Sequence, residues 1–232
     1  MSTPKRVLIT GASRGIGLRL AQHYKAQGWN VIAAVRAPAA ANDLNALHVE
    51  KIVAIDTSDE ASVLQAVADV GLDTPIDLLI NNAGVLTRHS LETATKADLM
   101  RQFEINAVGP WLVTRAFLPN LELAKAASGI AIAAQVSSIV ASIEQNVTGR
   151  NYGYRASKTA LNSLNKSLSV DLHDRGVVCV VLHPGYVKTD MTDHLGDITV
   201  DESVAGLTTV LARITPADSG KFYHTNGSII PW

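Results

Sequence analysis

Val7-Leu8-Ile9-Thr10-Gly11-Ala12-Ser13-Arg14-Gly15-Ile16-Gly17 is the stretch on which the fold reading turns. A short aliphatic run ends in a glycine-rich turn, and a helical pattern, Gly15–Gln27, follows it. Glycines let the backbone turn sharply and bring its N–H groups close to a bound phosphate. The helix N-terminus adds about half a positive charge there. The spacing is G-x-x-x-G-x-G rather than G-x-G-x-x-G, and no Gly-Lys-Ser/Thr follows, so this is not a P-loop.

Further apolar runs recur downstream at Trp29–Val35, Lys51–Ile55, Ile76–Ile80, Gly129–Val136 and Val177–Leu182. They are rich in β-branched residues and nearly continuous, as strands buried on both faces are. Helical patterns alternate with them at Asp59–Asp69, Lys96–Leu123 and Tyr152–Asp174, with a further helix starting near Asp201. Ala37–Ala41 reads as a loop. Alternation of this kind predicts an α/β fold: a single-domain doubly wound parallel sheet of the Rossmann type over residues 1–232, with helices on both faces.

Composition narrows the function classes. Of 232 residues, 47% are hydrophobic and 18% charged, enough apolar material for a large core. A net charge of −1 favours neither nucleic acid nor an anionic membrane as partner. The single cysteine, Cys179, lies among Val177, Val178, Val180 and Val181 and reads as a core residue, not a nucleophile. Val7–Ile9 is too short for a signal peptide, and no run reaches the ~18 apolar residues of a membrane span. These features predict a cytoplasmic protein. The seven histidines show no paired metal-ligand spacing, so no metal is expected. His183 and His194 read as structural or exposed histidines. Trp232 is left between closing over the site and packing on a partner.

Gly11-Ala12-Ser13-Arg14-Gly15 also matches G-x-S-x-G, the nucleophile elbow of α/β-hydrolases. That reading needs an oxyanion loop after an earlier strand, and nothing before Val7 supplies one. A catalytic set elsewhere argues for different chemistry. Tyr154 and Lys158 stand four apart on a predicted helix, hence on one face. An ammonium beside a phenol favours the phenolate, which suits a residue that gives or takes a proton. Ser137-Ser138 ends one predicted strand, and Asn81-Asn82-Ala83-Gly84 ends another. Strand ends of such a sheet converge on a ligand crevice.

Thr10–Gly17, Asn81–Gly84, Asn106, Ser138, Tyr154, Lys158 and His183-Pro184-Gly185-Tyr186-Val187-Lys188-Thr189 together resemble the short-chain dehydrogenase/reductase family. Within it, Tyr152–Lys158 with Leu161-Asn162, and Asn226-Gly227 with Pro231-Trp232, look like the sniffer-type carbonyl reductases and C-signal-like reductases. The resemblance implies an oxidoreductase that moves a hydride between NADP(H) and a small carbonyl or alcohol substrate. Tyr154 is then the general acid/base, Ser138 bonds the substrate oxygen, and Lys158 holds the nicotinamide ribose and acidifies Tyr154. Asn106 supports a water linking Lys158 to solvent. Gly11, Ser13, Arg14, Gly15, Ile16, Gly17, Asn82, Ala83 and Gly84 line the cofactor, and Pro184, Gly185, Val187 and Thr189 meet its nicotinamide end. Asp56 contacts the adenine, although an N-cap role is open to it.

Three choices need argument. Tyr152 lacks a lysine four residues on, where Ala156 stands. Ser137 and Ser142 compete with Ser138, and the Ser138-to-Tyr154 gap is about three residues longer than the commonest family spacing. The extra length, Ile143–Asn151, is expected to bulge beside the substrate. For the cofactor, the second strand runs into Arg36 with no acid until Asp43. Arg36 and Arg14 therefore point to a 2′-phosphate, and to NADP over NAD. A non-catalytic NADP(H)-binding protein and a homo-oligomer both remain open.

Overall fold

The computed structural model describes residues 4–232. Seven strands form one parallel sheet in the order β3-β2-β1-β4-β5-β6-β7. They are β1 (Arg6–Thr10), β2 (Asn30–Val35), β3 (Lys51–Ala54), β4 (Leu78–Asn81), β5 (Ala131–Val136), β6 (Val177–His183) and β7 (Phe222–His224). The doubly wound sheet expected from the alternating pattern is present. The seventh strand is an addition: three residues are too short to carry a periodicity.

Strand periodicity builds two cores. On one face Val7, Ile9, Val31, Ala33, Val35, Val178, Val180 and Leu182 pack with α1 (Gly15–Ala26), α2 (Asn42–Ala46) and α8 (Val200–Leu211). On the other, Leu8, Ile32, Ala34, Val177 and Cys179 pack with α3 (Glu60–Val70), α5 (Gly109–Ala116), α6 (Leu118–Ser128) and the far end of α7 (Tyr152–Asp171). Cys179 is fully buried, and burial pushes its thiol up to about 12, so it is the inert core residue expected.

Two local expectations change. Ala37–Ala41 is not simply a loop: Pro38–Ala40 makes one 3₁₀ turn, and α2 follows it. Lys96–Leu123 is not one helix. It divides into α4 (Lys96–Phe103), a π-helical turn at Glu104–Val108, α5, and then α6, which begins at Leu118. Pro110, just inside α5, has no N–H to give to the turn before it. The wider turn holds Asn106 fully buried.

The chain winds from β1 outward to β3, then crosses to β4 on the other side of β1. This reversal leaves a crevice beyond the carboxyl ends of β1 and β4. The sheet thereby directs the glycine turn, the Asn82–Gly84 turn, Ser138 and Pro184 to one end of the molecule.

Candidate active site

The glycine turn is set by close approaches. Gly11 has φ +65°, and a Cβ on it would lie 2.9 Å from Ala83 Cα. A Cβ on Gly17 would lie 2.2 Å from the Gly11 carbonyl oxygen and 2.6 Å from Asn82 Nδ2. Thr10 Oγ1 accepts from the Asn82 and Ala83 N–H groups at 3.0 and 3.1 Å. Asn82 Nδ2 returns bonds to the Thr10 and Gly11 carbonyls at 3.1 and 3.2 Å. The two turns are thus one rigid unit, and Thr10, which opens the glycine motif but was given no role from sequence, is its hinge pin. Gly17→Ala is expected to destabilise the fold by about 1–3 kcal/mol through overpacking. Chemical denaturation measures this, and stability equal to that of the unmodified chain would refute the constraint.

A cleft of about 410 Å³ runs over this unit. It brings together Gly11, Ser13, Arg14, Gly15, Ile16, Gly17, Arg36, Asp56, Asn82, Ala83, Gly84 and Thr189, as expected from sequence. Val85, Ile105, Lys188, Met191 and His194 also line it and were not expected there. Ile105 comes from the π-helical turn and Met191 from a 3₁₀ turn, the others from loops, and no periodicity encodes the course of any of them.

The rim is charged. Arg14 Nη1 pairs with Asp190 Oδ2 at 2.9 Å, and His194 Nε2 lies 3.3 Å from Asp190 Oδ1. Arg36 is exposed and makes no hydrogen bond among the described residues. Asp56 Oδ1 accepts from Ser58 N–H and Oγ–H at 3.0 and 2.7 Å. Those bonds first, and nearby Arg36 to a lesser degree, hold its carboxyl below the ordinary range. The N-cap of α3 is Asp59, whose side chain accepts from Ala61 N–H, so the N-cap role open to Asp56 is taken elsewhere.

The residues after β6 divide. Thr189 reaches the cleft, whereas Pro184, Gly185 and Val187 do not line it. Val187 is buried and bridges to Ile198, and the Pro184 carbonyl accepts from Ser203 Oγ at 2.6 Å. These contacts shape the segment from beneath.

The four catalytic candidates converge beside the cleft. A Cβ on Gly84, in the cleft wall, would lie 3.1 Å from Asn106 Oδ1 and 3.6 Å from Lys158 Nζ. Asn106 Oδ1 accepts from Val85 N–H, and its Nδ2 donates to the Val85 carbonyl and Ser157 Oγ, at 2.8, 2.8 and 3.1 Å. Lys158 is buried, and its Nζ donates to the Val136 carbonyl at 2.8 Å. Ser138 caps the turn Ile139–Ala141, its Oγ accepting from Val140 N–H at 3.4 Å. Its competitors are occupied: Ser137 Oγ bonds Asn162 Oδ1 at 2.7 Å, and Ser142 Oγ bonds the Trp232 carbonyl at 3.3 Å. The Trp232 ring stacks on Phe222, with centroids 5.7 Å apart.

Electrostatics alter one expectation. Burial pushes the Tyr154 phenol up to about 12, and the Ser138 hydroxyl beside it works in the opposite direction. Lys158, expected to acidify Tyr154, is itself brought down to about 8 by burial, and its proton is turned to Val136. In this state Tyr154 is therefore a protonated donor throughout the neutral range.

Lys158 also makes a stability prediction. Its folded pKa is depressed, so between pH ~8 and ~10.5 the unfolded chain binds more protons and stability rises with pH. Lys158→Met is expected to gain stability at pH 7, up to about 3 kcal/mol. That advantage should fade as pH approaches 10.5, while activity is lost. Melting curves across this range check it, and a Met variant less stable than the parent at pH 7 would refute it.

No described helix is long and apolar enough to cross a membrane, and no His/Cys/Asp/Glu cluster among the described residues has a metal-holding arrangement. Residues 5–198 match the family model described as short chain dehydrogenase. The C-signal protein of Myxococcus xanthus is 41% identical over 159 residues, covering 68% of this chain and 93% of that protein. An NADPH-bound carbonyl reductase from chicken fatty liver is 37% identical with a TM-score of 0.93, covering all of both chains. Carbonyl reductase Sniffer of D. melanogaster is 31% identical with a TM-score of 0.92, over 99% of this chain and 100% of that one. With the reversed sheet, the paired turns and the Ser–Tyr–Lys grouping at one crevice, these likenesses assign the chain to the oxidoreductases of the short-chain dehydrogenase/reductase family.

Proposed function

We propose that this protein is an NADP(H)-dependent carbonyl reductase in which Tyr154 is the general acid. The observation that carries the reading is the junction at Gly84. There the wall of a glycine-turn cleft with two rim arginines meets buried Lys158 and Asn106. The cradle suits a dinucleotide: any side chain at Gly11 or Gly17 would collide with the turn, so the backbone stays open to a phosphate. Arg14 and Arg36 would hold a 2′-phosphate, Asp56 the adenine end, and Thr189 the nicotinamide end. The NADPH bound to the chicken-liver relative supports this choice.

A nicotinamide bound here supplies the hydride to the carbonyl carbon. Tyr154 gives its phenolic proton to the carbonyl oxygen as negative charge develops on it. Ser138, whose Oγ accepts from Val140 N–H, keeps its own proton free to donate to that oxygen or to the Tyr154 phenolate. Donors placed where charge develops lower the barrier because they need no reorganisation. Lys158, four residues after Tyr154, favours the phenolate left behind and would bond the ribose. Its lowered pKa lets it pass a proton on near neutral pH. Asn106 ties α4–α5 to the Val85 backbone and holds the wall against which these groups align.

A panel of ketones, aldehydes and quinones tested with NADPH, followed at the nicotinamide absorbance, tests the function directly. Turnover of at least one class with NADPH, and markedly less with NADH, is the expected result. Absence of turnover with tight NADPH binding would favour a binding protein instead.

A further inference from the structure

The Ser138 hydroxyl is only as well aimed as the turn Ile139–Ala141 that follows it. Three consecutive backbone groups of that turn are gripped by side chains from other elements. Ile139 N–H donates to His183 Nδ1 at 3.1 Å. The Val140 carbonyl accepts from Arg155 Nη1 at 3.2 Å, and the Ala141 carbonyl from Thr159 Oγ1 at 2.8 Å. Arg155 and Thr159 ride on α7 with Tyr154, so they move with it. His183 ends β6, and it alone of the three ties the turn to the sheet.

We propose that His183 is a positioning residue that aims Ser138 at Tyr154 by accepting the Ile139 N–H bond. The proposal rests on the reading of Ser138 and Tyr154 as the proton-handling pair. Nδ1 accepts only in a neutral imidazole, since a protonated ring has donors at both nitrogens. The site keeps it neutral: His183 is 5% exposed, and the His224 ring from β7 lies edge-on at 4.9 Å. Burial and His224 together hold its pKa down at about 3. Ile139 directly follows Ser138, so the 3.1 Å bond acts one residue from the hydroxyl that opposes the upward push on Tyr154.

The test compares His183→Asn with His183→Gln at saturating NADPH. An Asn amide oxygen falls near the place of Nδ1, whereas Gln carries its polar head one carbon farther out. His183→Gln is expected to lower kcat about 3- to 10-fold, the scale of one neutral hydrogen bond. It should also move the basic limb of the pH profile upward, because the Ser138 bond that lowers the Tyr154 pKa is weakened. That limb belongs to Tyr154, which Ser138, two residues beyond β5, hydrogen-bonds, with Lys158 one turn farther along α7. His183→Asn should restore both readouts, and NADPH affinity should stay within about twofold for both. His183→Leu takes the place of Gln if that variant does not fold, with the same expectation. Equal kcat and equal pH limbs for Asn and Gln would overturn the proposal. In a Ser138→Ala background, His183→Gln should add no further loss. If Ser138→Ala costs activity and His183→Gln adds its full loss on top, the His183 proposal alone falls. If Ser138→Ala leaves kcat untouched, the underlying reading of Ser138 falls with it.

Discussion

Tyr154→Phe is expected to reduce carbonyl turnover by roughly 10²–10⁴-fold, the contribution of a placed general acid, with NADPH affinity nearly unchanged. The substitution removes one oxygen and keeps the ring, so packing at the start of α7 is preserved. A phenol is protonated at neutral pH, and burial, which pushes the Tyr154 pKa up to about 12, keeps it so. Phenylalanine thus deletes a proton that is present, not one that is only transiently available. Ser138 cannot replace it, since its hydroxyl is too weak an acid to be left as an alkoxide. Ser13→Ala makes the contrast: Ser13 is exposed on the rim of the cleft, and its loss should alter cofactor affinity, not turnover at saturating NADPH. Steady-state kinetics with both variants decide the matter. Full activity in Tyr154→Phe together with an inactive Ser13→Ala would overturn the oxidoreductase mechanism and favour a serine nucleophile.

Arg36→Ala is expected to weaken NADPH binding by roughly 10- to 150-fold, because a hydrogen bond to a charged group contributes about 1.5–3 kcal/mol. NADH, which lacks the phosphate, should be almost indifferent. Arg36 stands just after β2, on the rim of the cleft, with no competing hydrogen bond among the described residues. Arg14 differs, because its guanidinium already pairs with Asp190 at 2.9 Å. Both partners are exposed, so that pair contributes at most about 1 kcal/mol. Arg14→Ala should therefore cost less than Arg36→Ala, and Asp190→Asn should tighten NADPH by a few-fold at low salt. Arg36→Asp should go further, repelling the 2′-phosphate and offering an acceptor to a free 2′-hydroxyl. Equilibrium binding of the two cofactors measures all of these. Equal affinity of the unmodified protein for NADH and NADPH, or equal weakening of both by Arg36→Ala, would end the assignment.

Much of this was legible in the residues. Strands buried on both faces must be apolar at successive positions, so Val177–Leu182 announced itself without a structure. Glycine positions were legible for a related reason: Gly11 and Gly17 stand where no Cβ fits. The Tyr154–Lys158 pair was readable because a helix places residues four apart on one face.

Other features had no local signature. The break of Lys96–Leu123 at the π turn depends on how α4 and α5 pack around buried Asn106, and an apolar periodicity does not report a one-residue widening. That Asn162 and Trp232 engage the Ser137 and Ser142 hydroxyls is likewise a matter of tertiary partners that no local pattern reports. The direction of the Lys158 ammonium was decided by the Val136 carbonyl on the neighbouring strand, and the Tyr154 pKa by burial that spacing does not reveal.

The sequence by itself therefore determined the parallel sheet, the glycine turn and the residue types at the crevice, because these follow from periodicity and steric exclusion over a few neighbours. Only the tertiary structure decided which hydroxyl is free, that Arg14 faces Asp190 across 176 positions, and that His183 grips the Ser138 turn. Each of those depends on a distance between segments far apart in the chain, and on the burial that the packed fold imposes on the groups between them.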